Sequence, residues 1–272
     1  MGKSKVGKGS SLTSVFQQTE FTLGVIIVAL FVITSVCTDN FFSVYNITNL
    51  MKQCAIIGVL AVAQTMIITT GGIDISVGSF VAMGCMMLAW MMEKGGIGAV
   101  PAVIIVLVTG IVFGLVQGFL VAYMDIQPFI VTLAGMFFAR GMTTIVHTDP
   151  FNVQNKAFVA LKDTRVIVPG MGSVNRIGKY VDAYVEIGVI VALLIVVLMF
   201  VMLRWSKLGR AFYAVGGNKQ SALMLGINVK RTRFLAQLFS GVLAGIAGYV
   251  YFLHVGSGSA SHATGMEMNA IA

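Results

Sequence analysis

The stretch Val100 to Tyr123, VPAVIIVLVTGIVFGLVQGFLVAY, contains no charged side chain. At about 1.5 Å per residue a helix of this length exceeds the roughly 30 Å of a bilayer's hydrocarbon core, which about 20 apolar residues can cross. Six more apolar stretches surround it: Phe21 to Cys37, Ala55 to Thr70, Val77 to Met92, Pro128 to Val146, Val185 to Leu203 and Phe234 to Val255. Hydrophobic residues make up 57% of the 272 and charged residues only 10%, so the chain is a polytopic membrane protein. No alternating barrel pattern is present, and a spanning segment must satisfy its own backbone groups. The expected fold is therefore all-α, a transmembrane helical bundle of about seven spans over residues 21–272.

Residues 1–20 form a basic tail with Lys3, Lys5 and Lys8. The first apolar run lies too far from these charges for an ordinary cleaved signal peptide, so it is expected to be a retained span. Gly2, Gly7 and Lys8 have the spacing of a phosphate-binding loop, but Gly9 stands where Ser or Thr is needed, and a solvated tail is expected. Cys37, Cys54 and Cys85 stand singly and are expected to be buried thiols. His147, His254 and His262 fall toward one side of the bundle without the spacing of a metal site. Paired carboxylates and a nucleophile beside a base are both missing, so neither a catalytic residue nor a metal or other cofactor is assigned.

The loop 204–233 carries Arg204, Lys207, Arg210, Lys219, Lys230, Arg231 and Arg233 with no acid, whereas the loop 148–184 dilutes its bases with Asp149, Asp163 and Asp182. Density of Lys and Arg places the first loop in the cytoplasm and the second outside, and counting spans back puts the lysine-rich tail inside too. Trp90, Trp205, Tyr123, Tyr180 and Tyr184 then fall near span ends, against the membrane lipid. The net charge of +8 is explained by topology, with no need of nucleic acid. Within the cytoplasmic loop Gly216 and Gly217 loosen the backbone, Asn218 is a good N-cap, and Lys219 to Leu225 form about two helical turns stopped by Gly226. So short a helix needs a packing partner, either its own bundle or another protein.

Small residues recur at helix-contact spacing at Gly110, Gly114 and Gly118, and again at Gly241, Gly245 and Gly248. Between the second and third apolar runs the sequence Gly71, Gly72, Ile73, Asp74, Ile75, Ser76 interrupts the helix. It is either a tight turn at the membrane surface, with Asp74 as a cap, or a break at depth, tolerated only against protein or a water-filled cavity. Gln64 is either glue between helices or a contact for a solute. Arg140, inside PFIVTLAGMFFARGMTTIV, either snorkels outward or faces a polar interior.

Four segments together resemble the permease subunits of bacterial ABC importers for ribose, galactose and related monosaccharides. They are GGIDISVGS at Gly71 to Ser79, PFIVTLAGMFFARG at Pro128 to Gly141, GRAFYAVGGNKQSALMLGINV at Gly209 to Val229, and GMEMNAIA at Gly265 to Ala272. LAGMFFARG is most similar to the galactofuranose permeases. The resemblance implies a multi-pass protein of the bacterial inner membrane that pairs with a second copy or a paralogue. It also implies two cytosolic ABC ATPase subunits and a periplasmic sugar-binding protein, which the outer loops would meet. Gly217 to Ile227 would be the coupling helix, with Gly209, Gly216, Gly217, Asn218, Gly226 and Ile227 as the coupling residues. Alternating access driven by the ATPases would follow, and Gln64, Gly71, Gly72, Asp74, Ser76 and Arg140 are the expected lining of the path. Such permeases continue past this point into further hydrophobic segments and carry an acid where Asn269 stands, so a truncated chain is expected. The rival functions are a secondary sugar transporter or facilitator, disfavoured because Asp74 is the single acid available for ion coupling, and a non-transporting scaffold.

Overall fold

The computed structural model describes residues 19–38, 41–162, 164–174 and 180–272. The basic tail, with Lys3, Lys5, Lys8 and the glycines around them, lies outside the described residues, as do Asp163, Arg176 and Lys179.

All seven apolar stretches form helices, although the expected start of the sixth, Val185, belongs to a strand that ends at Glu186 before the helix begins. Along the chain they form α1 (Thr19–Cys37), α2 (Val44–Thr69), α3 (Val77–Glu93), α4 (Ala99–Ala122), α5 (Pro128–Val146), α7 (Ile187–Trp205) and α10 (Val229–Val255). Five of these are long and apolar enough to cross a membrane, while α1 and α3 contribute shorter apolar helices. The second helix begins at Val44, eleven residues before the apolar run suggested. Its first turns are polar, but Ser43 caps them by accepting from Asn46 N at 3.3 Å, and Lys52 on the next turns meets Glu186 at 2.6 Å.

The core gathers along α10, which packs on α2, α3 and above all α4. Here the glycine pattern has a direct geometric cause. A Cβ on Gly110 would lie 2.6 Å from the Gly241 carbonyl oxygen, one on Gly114 2.9 Å from that of Gln237, and one on Gly118 3.0 Å from that of Phe234. Lipid tails supply no hydrophobic drive for helix association, so contact area between bare backbones replaces it. Farther along α10, Gly248 meets α3 at Val81 and Gly84.

Two small antiparallel sheets, which the apolar pattern does not announce, sit among the connections at one end. In the first, β1 (Phe151–Asn152) pairs with β4 (Ser257–Gly258). In the second, β2 (Arg165–Val174) pairs with β3 (Tyr180–Glu186), running from Arg165 opposite Glu186 to Val174 opposite Tyr180 with an irregularity between Val168 and Gly172. A short helix α6 (Lys156–Lys162) precedes this hairpin, and the Glu93 carboxylate accepts from Gln154 N at 2.8 Å and Asn155 N at 3.0 Å just before it. The opposite end carries α8 (Lys207–Gly217) and α9 (Lys219–Met224), with Arg233 3.7 Å from Asp125. The last helix, α11 (Met266–Ile271), turns back against α2 and α3.

The thiols need a correction. Cys85 is buried on the inner face of α3, but Cys37 and Cys54 are exposed, because they lie on helix faces that no neighbouring helix covers.

Candidate functional site

The break between α2 and α3 combines both expected readings. The helix α2 ends at Thr69, Gly71 adopts a left-handed φ of 77°, and Gly72 N donates to the Ile67 carbonyl at 3.0 Å, which makes a tight turn. The chain then returns into the bundle without helical structure, and α3 starts at Val77. This return segment is buried in protein. Asp74 is 2% exposed and Ser76 fully covered.

A carboxylate at such a position is costly unless donors surround it. Four do. Asp74 Oδ1 accepts from Ser76 N at 2.9 Å and Ser76 Oγ at 2.6 Å, the first being a cap-like turn bond that starts α3. Its Oδ2 accepts from Ser240 Oγ at 2.7 Å and Gln237 Nε2 at 3.1 Å, both on α10. The network closes through α4, where Gln117 Nε2 donates to Ser76 Oγ at 3.0 Å and Gln117 Oε1 accepts from Gln237 Nε2 at 2.8 Å. Gln64 on α2 donates to the Asp74 main-chain carbonyl. Thr132 on α5 approaches the Ile73 carbonyl at 3.4 Å. One short segment is thus held by four helices.

Two buried acceptors nearby have no donor among the described residues: Gln64 Oε1 and Glu267 Oε2. Glu267, in the first turn of α11, lies against Gly78 in the first turn of α3, and only glycine leaves room there. Beside the network, α4 and α5 part over α3 to leave a cavity of about 500 Å³. Its walls are apolar, formed by Met83, Met87, Phe113 and Phe138 among others, and Gln117 joins it to the network.

Arg140 does not reach out alone. Its guanidinium Nη1 donates to the carbonyls of Ala260 at 3.0 Å and His262 at 2.8 Å, so it holds the connection between α10 and α11. The His262 Nδ1 lies 3.7 Å from Cys85 Sγ. His147 meets Lys94 through Nε2 and donates from Nδ1 to the Asp149 carbonyl at 2.8 Å.

At the other end, Ser206 caps α8 by accepting from Gly209 N at 3.0 Å, and Phe212 and Val215 anchor the helix in the core. Gly209 backs onto the Leu203 backbone. Gly216 presses against the Thr69 carbonyl at the end of α2, so a side chain there would collide with main chain, while Gly217 faces open space. Both lie within α8 and neither has positive φ, which corrects the expectation that they loosen the backbone. Asn218 caps α9 as expected, its Oδ1 accepting from Ser221 N at 3.0 Å. Gly226, at φ 76°, ends the turn, and Ile227 N donates to the Ala222 carbonyl at 3.0 Å. Ala222 faces inward, while Leu223, Met224 and Leu225 are 59%, 89% and 76% exposed.

Residues 46–272 match the model of a protein family described as the permease component of the branched-chain amino acid transport system. The chain belongs to that family. Among its relatives, the fructose import permease protein FruG of Bifidobacterium longum is 36% identical over 250 residues, 90% of this chain and 72% of the relative. The inner membrane ABC transporter permease protein YjfF of Escherichia coli K12 is 34% identical over 233 residues, 86% of this chain and 67% of the relative. The ribose import permease protein RbsC of the same strain is 32% identical over 250 residues, 90% of this chain and 73% of the relative. No solved structure matches.

This permease is a multi-pass protein of the bacterial inner membrane and the transmembrane subunit of an ABC importer, with ATP hydrolysis in a partner subunit. Membership implies ATPase and binding-protein partners. Of the residues expected to line its path, Gln64, Asp74 and Ser76 converge on the break, whereas Arg140 lies apart from it on the connection after α10. Gln117, Gln237, Ser240 and Glu267 were missing from the expected set. Gln117 is a lone amide in an apolar helix, a signal also carried by Gln64, while Gln237 and Ser240 stand three apart on one face of α10. The helix α8 has its own signal in the Ser206 cap and the spacing of Leu208, Phe212 and Val215.

Proposed function

We propose that the permease carries a monosaccharide, with the fructose and ribose importers among its relatives as the guide to substrate class and the galactofuranose likeness as the finer guide. It works beside a second permease copy or paralogue. The observation that carries the coupling half of this reading is the exposed trio Leu223, Met224 and Leu225 on a capped helix whose base is tied, through Gly216, to the end of α2. An apolar knob on a basic, water-facing loop is a docking feature, since a lone two-turn helix gains its order from packing. Two bound ATPase subunits closing on ATP would push this loop, and the bundle would rock between open directions along its glycine contacts.

The path runs by the break, with Gln64, Gly71, Gly72, Asp74 and Ser76 beside it and Arg140 setting its outer end. The residues 148–184 form the face for the periplasmic binding protein.

Purified with its ATPase and binding protein in liposomes, the permease should show ATP hydrolysis stimulated by one sugar of a fructose, ribose and galactose panel. Replacing Leu225 with Asp should abolish ATPase capture in a pull-down. Capture unchanged by Leu225→Asp would remove the coupling role from α9, and hydrolysis indifferent to every monosaccharide would remove the sugar.

A further inference from the structure

Of the places where the coupling loop meets the bundle, two lead to one residue. On one side, Gly216 of α8 sits against the Thr69 carbonyl, the last residue of α2. Five residues back along α2, Gln64 donates to the Asp74 main-chain oxygen. On the other side, the loop passes from α9 through Gly226 to Asn228, whose Oδ1 caps α10 by accepting from Arg231 N at 2.9 Å. Eight and eleven residues beyond Val229, on that same rigid helix, Gln237 and Ser240 donate to the Asp74 carboxylate. These positions lie about 12 to 17 Å along the axis from the loop.

We propose that Asp74 is the joint through which displacement of the cytoplasmic loop reaches α3. The proposal rests on the reading of that loop as the ATPase contact. The residue suits the task because its main chain answers to one driven helix and its side chain to the other, while the segment that bears it is not itself helical and yields to both. Its carboxyl oxygens meet four partners, two of them on α10, so the side chain is tied to that helix at two points. Beyond the joint, α3 starts directly at Val77, so a shift of Asp74 reorients the first turn, where Gly78 meets Glu267. Asp74 is a positioning residue, and Ser240 and Gln237 are its handle on α10.

The test uses the complete importer, with the sugar that stimulates the wild type, and reads three quantities: ATPase capture by the permease, sugar moved, and sugar moved per ATP hydrolysed. Asp74→Asn puts an NH2 group against Gln237 Nε2 or Ser76 N, whichever oxygen it replaces, and is expected to assemble but to move at least about tenfold less sugar per ATP, the scale of a coupling energy between sites. Ser240→Ala removes one of the two α10 donors and should lower the same ratio by about threefold, a neutral-deletion effect of the usual size for one bond. The exchange Asp74→Ser with Ser240→Asp, which keeps a carboxylate and a hydroxyl across the same contact, should recover most of the ratio. A purely stabilising Asp74 would instead lower the yield of assembled importer and leave the ratio unchanged in what assembles. That result in Asp74→Asn, or in Ser240→Ala should Asp74→Asn fail to fold, overturns the proposal. A wild-type chain that captures no ATPase overturns the coupling reading itself, and this proposal with it.

Discussion

The helix α10 makes two kinds of contact with its neighbours, and they differ in almost every respect. Against α4 it presents Gly241 and Gly245 to Gly110 and Gly114, a seam of closely approached backbone with the Gln237 to Gln117 bond beside it. Against the break it presents Gln237 and Ser240, which close on a carboxylate. The glycine seam is stabilised by many weak contacts, none of them directed. The polar joint holds by four directed bonds and has one geometry. The seam thus sets how closely α10 approaches, and the joint sets its register.

The largest effect is expected at the seam. Gly241→Leu places a side chain within carbonyl contact distance of Gly110, and overpacking between two backbones should cost about 3 kcal/mol or more. Loss of detergent-stable monodisperse protein in size-exclusion chromatography checks this, and a well-folded Gly241→Leu would show that the seam is not close-packed. Next comes the joint: Gln237→Leu removes a donor from both Asp74 and Gln117 and should cost about 1 to 3 kcal/mol in unfolding measurements. The two glycines of α8 sharpen the comparison on a smaller scale. Gly216→Ala meets the Thr69 carbonyl and should lower both stability and uptake, while Gly217→Ala, facing open space, should leave the thermal midpoint within about 1 °C and gain slightly from helix propensity.

The seven helices were legible because each is a long apolar run, and the break was legible because Gly71, Gly72 and Asp74 cannot continue one. What completes the joint was not. Gln117, Gln237 and Ser240 lie far from Asp74 in the chain, and a single polar residue in an apolar helix has the same appearance whether it faces lipid, another helix or a solute. Only the packing of α4 and α10, set by glycines, brings them to one point. The hairpin β2–β3 was hidden within a connection whose apolar content is too low to register beside true spans. Cys37 and Cys54 show the converse limit, since membership of an apolar helix does not state which face is covered.

The central claim is that α9 faces the cytoplasm and is gripped there by an ATPase. A single cysteine at Met224, in a chain with Cys37, Cys54 and Cys85 replaced by Ser or Ala, tests it with a membrane-impermeant thiol reagent. The cysteine should be silent in intact cells, react in inverted membrane vesicles, and become protected when the ATPase subunits are bound. Labelling from the outside of intact cells, or labelling in inverted vesicles that bound ATPase leaves untouched, would contradict the account.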